Sequence, residues 1–281
     1  MGFPVLEKEG EKMDLVVVRG GGDIASGIIH RLYMAGFKVV VLEIEKPLTI
    51  RRTVAFSEAV YEKEVNIEGV KGVLAKDIND IWNILDEGSV PVYIDEKGKI
   101  LEVLKSMVVV DAILAKINLG THRDMAPITI GVGPGFEAGV DVDLVVESKR
   151  GHNLGKVIYK GRAAKNTGIP GETLGFREER VIRAPGEGIV KPLYHIGDKV
   201  KKGDIVCKVG EKEVIAQIDG VIRGMLKEGL YAYKGLKIGD IDPRGVIEYA
   251  FTISDKARAV GGGVLEGILY LKRERRIGYG Q

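Results

Sequence analysis

Gly20, Gly22 and Ala25 stand in the spacing G-x-G-x-x-A, and Gly21 and Asp23 complete the turn. Between a strand and a helix, that spacing lets the chain turn tightly at the first glycine and approach a phosphate at the second. The phosphate then sits over the positive end of the helix. Two readings stand: a site for a nucleotide or another phosphorylated ligand, or a structural turn that holds nothing. Asp23 weighs against the first, because a carboxylate repels phosphate unless a cation or hydrogen bond intervenes. Glu43, 23 residues past Gly20, stands where a ribose-binding carboxylate is expected. Arg51 and Arg52 offer either a bidentate anion clamp, which lysine cannot reproduce, or a solvated surface pair. Gly131, Gly133 and Gly135 form either a second backbone nest for an anion or a plain turn. His152, in a glycine-rich loop, has the chemistry of an acid, a base or a ligand, with a structural or surface role as the alternative. No histidine or carboxylate partner stands at metal-ligand spacing from it. Asp111 and residues 121–124 are placed to reach the same crevice. A nucleophile elbow, a Walker lysine motif and a zinc signature are all missing, so the sequence alone yields no catalytic constellation.

These residues need elements to position them. The apolar run at 15–18 is β-branched and continuous, the pattern of a strand buried on both faces. After the glycine turn, Ile24, Ala25, Ile28, Ile29 and Leu32 make one helical face, which Gly36 ends. A second strand at 38–44 completes a βαβ unit with parallel pairing. A helix over 77–85, strands at 90–94, 107–110 and 128–132, and a helical segment near Leu101 continue the alternation. This predicts a doubly wound, Rossmann-like α/β domain over 14–177, with glycine-rich loops from Gly133 onward. Residues 1–13 read as a polar lead-in.

The next region repeats itself. Residues 184–205 match 216–237 without gaps at an offset of 32, with Ala184/Ala216, Gly188/Gly220, Gly197/Gly229, Lys202/Lys234 and Gly203/Gly235 identical. Two such units interlock as a small β-sandwich or barrel, since neither buries its apolar face alone. This domain, assigned to 178–245, resembles the biotinyl/lipoyl-type barrel-sandwich hybrid, whose carrier members present a modified lysine on the central hairpin. Here Lys212 lies in Val-Gly-Glu-Lys-Glu, without the Met-Lys-Met or Asp-Lys-Ala pattern, and a scaffold or docking module is expected instead. A C-terminal segment over 246–281 carries an amphipathic helix at 264–275, expected to pack on the first domain.

Composition narrows the function classes. The 281 residues are 45% hydrophobic and 29% charged, which fits a folded chain of about two domains. Lys and Arg total 42 against 40 Asp and Glu, so no field-driven nucleic-acid or anionic-membrane partner is expected, and any bound anion must be gripped locally. Cys207 is the one cysteine; it excludes an intrachain disulfide and a multi-thiolate metal site, and reads as a buried, inert thiol in a reducing cytoplasm. Apolar runs fall far short of the ~20 residues that span a bilayer, and the charged start lacks the apolar core of a signal peptide.

Several longer phrases carry a family resemblance. They are VVRGGGDIASG (17–27), PLTIRRTVAFSEAV (47–60), GVGPGF (131–136), RGHNLG (150–155) and AVGGGVLE (259–266). Together they resemble the YqeB-type proteins of selenium-dependent molybdenum hydroxylase systems, and the likeness spans nearly everything after residue 13. The first domain also resembles XdhC-type Rossmann domains. The resemblance implies an accessory role in maturing the molybdenum cofactor or its enzyme. It also implies a molybdopterin-type cofactor or nucleotide as phosphorylated ligand, and a molybdenum hydroxylase or other maturation proteins as partners. Homo-oligomerisation is compatible with an exposed crevice. Two alternatives stand beside it: an NAD(P)-dependent oxidoreductase, suggested by the glycine spacing and Glu43, and a non-catalytic adaptor that docks a partner enzyme through the repeat domain.

Overall fold

A computed structural model of the protein describes residues 15–168 and 170–277; the lead-in expected over 1–13 lies outside the described residues. In the first domain β1 (Leu15–Arg19), α1 (Asp23–Met34) and β2 (Lys38–Glu43) form the expected βαβ unit. β1 pairs in parallel with β2 from Leu15 opposite Lys38 to Arg19 opposite Leu42. There follow α2 (Ala59–Glu62), β3 (Glu64–Ile67), β4 (Val70–Ala75), α3 (Ile78–Asp86), β5 (Val90–Ile94), α4 (Leu101–Leu104), β6 (Val108–Asp111), β7 (Ile128–Val132), β8 (Glu137–Ala138), β9 (Leu144–Val146), β10 (Val157–Ile158) and β11 (Gly161–Arg162). Nine strands make one sheet in the order β10-β9-β7-β6-β1-β2-β5-β4-β3. Every neighbouring pair in it is parallel except the edge pairs β9/β10 and β3/β4. The β3-β4 edge hairpin was not legible in the sequence pattern, because its strands are short and β3 is largely exposed and polar.

The continuous apolar runs follow from burial on two sides. Val16 and Val18 of β1 pack with α1 residues on one face, whereas Leu15 and Val17 pack with Ile81, Ile84 and Leu104 on the other. Asp77 caps α3 by accepting from the backbone N–H groups of Asn79 and Asp80.

The second domain holds β12 (Val181–Arg183), β13 (Gly188–Pro192), β14 (Lys199–Val200), β15 (Ile205–Val209), β16 (Lys212–Ile215), β17 (Gly220–Met225), β18 (Tyr231–Ala232) and β19 (Lys237–Asp242). Its sheets have the orders β12-β19-β17-β14 and β16-β15-β13-β18. A shift of 32 residues carries β12 to β15 onto β16 to β19 and exchanges the two sheets, so each sheet contains strands of both repeats. The glycines shared by the repeats serve the same turns: Gly197 and Gly229, and Gly203 and Gly235, all have positive φ. Their hydrogen bonds repeat too, Gly203 N–H to Ala216 C=O and Gly235 N–H to Ala184 C=O. The core of this domain includes Val190, Val206, Ile222, Leu226, Ile238 and Ile241.

The closing helix α5 (Asp255–Glu274) starts nine residues before the expected 264, capped by the Ser254 hydroxyl. Gly261, Gly262 and Gly263 had obscured its first half, because glycine is a poor helix former. Two of the three are packing requirements: Gly261 lies against Gly27 of α1, and Gly263 against the Gly155 backbone.

The three adjacent glycines separate packing from propensity. A Cβ on Gly261 would meet the Gly27 carbonyl oxygen at 2.7 Å, whereas a Cβ on Gly262 meets nothing within 4 Å. Gly261→Ala is expected to destabilise by about 1–3 kcal/mol through overpacking. Gly262→Ala is expected to stabilise by about 0.5–1 kcal/mol through helix propensity. Urea unfolding of the two variants checks the opposite signs.

Candidate functional site

The glycine turn is closed by the protein's own chain. Glu43, at the end of β2, accepts from the Gly21 amide through one carboxylate oxygen and from the Ile44 amide through the other, each at 2.8 Å. Burial pushes the Glu43 carboxyl up, and the two amides draw it part of the way back. The Gly21 carbonyl accepts from the Ser57 amide at 2.8 Å and the Ser26 hydroxyl at 3.1 Å. A Cβ on Gly21 would stand 2.8 Å from the Ser57 nitrogen, and one on Gly20 3.1 Å from the Ala112 oxygen. The close approach that these glycines permit is therefore an approach of loops.

What remains open is the first turn of α1. Gly22, its N-cap, offers no side-chain cap, and Asp23 and Ile24 line a cavity of about 320 Å³ between the two domains. The far wall comes from Arg180 just ahead of β12 and from β17 and β19, and the first turn of α5 contributes Asp255 and Lys256.

Arg51 lies in this wall, buried, and is already committed. It donates to Asp23 at 2.8 Å and to the carbonyls of Tyr249 and Thr252 at 2.9 Å each. Arg52 donates to the Met225 carbonyl at 2.9 Å and to Glu58 at 2.8 Å. Arg52 ties the first domain to the repeat domain and Arg51 ties α1 to the segment that follows it; neither reading of the pair, anion clamp or solvated surface pair, describes them. The tie extends through the Met225 amide, which donates to the Ile50 carbonyl at 2.8 Å.

The cavity is strongly cationic. Arg51, Arg150, Arg180, Arg223, Lys237, Arg244 and Lys256 line it against Asp23, Asp240 and Asp255. Arg180 and Asp240 pair at 3.0 Å, buried, and Arg150 pairs with Asp255 at 2.6 Å, exposed. Arg244 holds Asp242 with two bonds, of 2.9 and 2.6 Å, while stacking on Tyr249. Desolvation pushes Arg223, Lys237 and Lys256 below their ordinary ranges; Arg51 beside Arg223, Arg180 and Arg223 beside Lys237, and Arg150 beside Lys256 act in the same direction. Among the described residues, four buried side-chain polar atoms have no hydrogen-bond partner. Three of them, Arg51 Nε, Arg180 Nε and Asp240 Oδ1, belong to residues of this wall. Unpaired buried polar atoms are costly and rare in native structures, and here they lie behind the wall of the cavity.

The other expected site residues lie elsewhere. Gly131 packs under the Phe136 ring, Gly133 beside Ser148, and Gly135 against the Ile117 backbone, so the 112–122 loop fills the second nest. His152 lines a neighbouring cavity of about 250 Å³ with Lys149 and Asn153, and Arg150 is common to both cavities. Asp111 accepts from the Thr121 hydroxyl at 2.6 Å beneath Arg19, a buried strand-end tie. Lys212 opens β16 with its side chain over Gly186. Cys207 is fully buried, its thiol pushed up to about 12 by desolvation. Arg150, Arg180, Arg223, Lys237, Asp240, Arg244 and Lys256 are not singled out by the sequence: strand pairing β12-β19-β17 gathers Arg180, Arg223, Lys237, Asp240 and Arg244, and domain packing adds Arg150 and Lys256. One signal was available: the aligned repeats differ in charge type at Ile205/Lys237 and Lys208/Asp240.

A family model described as "RND related, barrel-sandwich hybrid domain" matches residues 179–248. Over 260 residues the chain is 52% identical to "Uncharacterized protein YqeB" of Escherichia coli (strain K12), which covers 92% of this chain and 48% of that protein. The chain thus spans about half the length of the curated relative it matches. Among solved structures, an aspartoacylase family protein from Mesorhizobium loti aligns over 81% of this chain and 84% of its own, at 11% identity and a TM-score of 0.28. The ectoine utilization protein EutE (DoeB) from Ruegeria pomeroyi aligns over 83% and 60%, at 11% identity and a TM-score of 0.23.

Arg51→Ala is expected to cost roughly 3 kcal/mol, because Asp23 and two carbonyls lose their donor inside the domain junction; denaturant unfolding measures it. Cys207 should resist iodoacetamide at about pH 8 in the folded protein and react only on unfolding, as mass spectrometry of the alkylated chain would register.

Proposed function

We propose that the protein is an accessory in the maturation of the molybdenum cofactor or of a selenium-dependent molybdenum hydroxylase. In this reading it holds a phosphorylated pterin or a nucleotide in the cavity between its domains. The observation that carries the ligand class is the cationic wall of that cavity together with the uncapped start of α1. Such a wall suits phosphate, which accepts charge-assisted hydrogen bonds from Arg and Lys and is favoured at a helix N-terminus. The strand order β5-β2-β1-β6-β7-β9 supports a Rossmann-type reading of the first domain, since it is that of doubly wound nucleotide-binding sheets. In such sheets ligands sit beyond the carboxyl ends of the strands, where the α1 turn stands. The biological role rests on the sequence phrases that resemble YqeB-type proteins of selenium-dependent molybdenum hydroxylase systems.

The residues present fit a phosphate-bearing group. Lys256 and Lys237 would hold the anion, and Asp23, screened by Arg51, would stand beside it. A bound molybdopterin would supply its metal-binding sulfurs; the chain's own part is to grip the phosphate and orient the ring. An NAD(P) oxidoreductase has less support, because Glu43 is engaged by the Gly21 and Ile44 amides. A partner hydroxylase and an adaptor role through the repeat domain belong to the same proposal. No described helix is long and apolar enough to cross a membrane.

Native mass spectrometry of gently purified protein, followed by denaturation, tests the reading. About one pterin phosphate or nucleotide per chain is expected on release; protein that neither retains nor rebinds either at about 1 mM overturns it. The bound anion should also couple to protons. The two lysines hold theirs less tightly than usual in the free protein, and a bound anion restores their grip. Affinity should therefore be full near neutral pH, where the phosphate carries about two charges, and fall as pH rises through the lowered lysine range, starting below the ordinary ~10.4. Calorimetry from about pH 7 to 10 measures the slope.

A further inference from the structure

Not all the cations of the interdomain cavity are equal. Arg51 is spent on Asp23 and two carbonyls, Arg180 on Asp240, Arg150 on Asp255 and Arg244 on Asp242. Three others keep their donors. Arg223 has only a long contact to the Tyr249 carbonyl, at 3.4 Å, and another to Asp242, at 3.7 Å, whose oxygens Arg244 already holds. Lys237 stands 3.8 Å from Asp240 Oδ1, whose partner oxygen is on Arg180. The Lys256 ammonium has no hydrogen bond or ion pair among the described residues. These three come from β17, β19 and α5, so only the docking of the domains assembles them.

The pseudo-symmetry of the repeat domain supplies an independent observation. Positions related by the 32-residue shift play the same part in the scaffold, and the shared glycine turns show how closely they do so. Yet Lys237 corresponds to Ile205, and Asp240 to Lys208. A strand position that the first repeat fills with isoleucine does not need an ammonium group for folding. Arg223 keeps a cationic counterpart in Lys191, so the charge added in the second repeat is the Lys237 ammonium. Clustering three under-paired cations in a desolvated cavity opposes folding, and no structural need answers that cost.

We propose that Arg223, Lys237 and Lys256 form a three-point cradle for a diphosphate or longer polyphosphate group, in preference to a single phosphate. This rests on the reading of the cavity as the site of a phosphorylated ligand. A single phosphate group brings about two negative charges at most, whereas a diphosphate brings enough to meet three separate cations and presents oxygens spread over two phosphorus centres. The cavity's 320 Å³ falls at the lower end of the ~300–1,000 Å³ of ligand pockets, a size for a mononucleotide rather than a dinucleotide.

Isothermal titration of the full chain with inorganic phosphate, pyrophosphate and tripolyphosphate, at one pH and one ionic strength, tests the cradle. Fixed ionic strength removes the unspecific part of the charge effect. Pyrophosphate is expected to bind at least about tenfold more tightly than phosphate. Lys256→Gln and Lys237→Gln should each remove most of that preference, and Lys256→Arg should keep it. Thermal unfolding of each variant establishes that the fold is intact. Equal binding of phosphate and pyrophosphate, with both lost in Lys256→Gln, overturns the polyphosphate preference and leaves the cavity standing as an anion site. Pyrophosphate binding unchanged in the Lys237→Gln, Lys256→Gln double variant, or no anion binding at about 10 mM, overturns the cradle and the site reading together.

Discussion

One buried guanidinium links the start of the first domain's α1 to the segment that leads out of the repeat domain, beside the seam where the two domains meet. Arg51 reaches Asp23 at the start of α1 and, on its other side, the carbonyls of Tyr249 and Thr252, which follow the repeat domain. Lysine, with a single nitrogen, cannot span acceptors set this far apart around a plane. The neighbouring backbone bond from Met225 to Ile50 and the Arg52 bond to the Met225 carbonyl extend the tie into a short seam. The cavity exists because this seam holds α1, α5 and the strands β17 and β19 at a fixed separation. Its volume and its charge are consequences of that docking.

Charge within the cavity is arranged in two layers. Carboxylates beneath the surface, Asp240 and Asp242, neutralise the arginines that build the wall. The outer cations, Arg223, Lys237 and Lys256, are left with weak or absent partners. A cavity that served only packing would be cheaper with apolar side chains, as Ile205 in the corresponding position of the other repeat illustrates. Binding sites commonly hold such locally unfavourable arrangements, because the missing interaction is supplied by the ligand.

The glycines show how one physical requirement serves several ends. Close backbone approach is what Gly20, Gly21, Gly135 and Gly261 all permit. In each case the approaching group is protein: the Ala112 loop, Ser57, Ile117 and α1. A glycine pattern in a sequence states that something comes near, and it does not state what. The phosphate-binding spacing at 20–25 is therefore compatible with a turn sealed from below by Glu43 and open only at the first residues of α1.

The sequence by itself determined the local elements and the class of architecture. Continuous β-branched runs marked β1, β2, β6 and β7, because strands buried on both faces admit no polar alternation. The offset of 32 revealed the interlocked repeat, since identical left-handed turns require glycine at identical places. The starting point of α5 and the edge hairpin β3-β4 are not legible there, the first because Gly261 answers to close packing on α1, and Gly263 to the Gly155 backbone, rather than to helix propensity. Of the expected site residues, Asp23 and Arg51 reach the interdomain cavity; Glu43 seals the turn, and Gly131, Gly133, Gly135 and His152 lie apart from it. The cationic wall was decided by tertiary structure alone. Arg150, Arg180, Arg223, Lys237, Arg244 and Lys256 are spread over more than 100 residues, at spacings that say nothing of proximity. Pairing of β12, β19 and β17 gathers four of them, and the packing of one domain on the other adds Arg150 and Lys256.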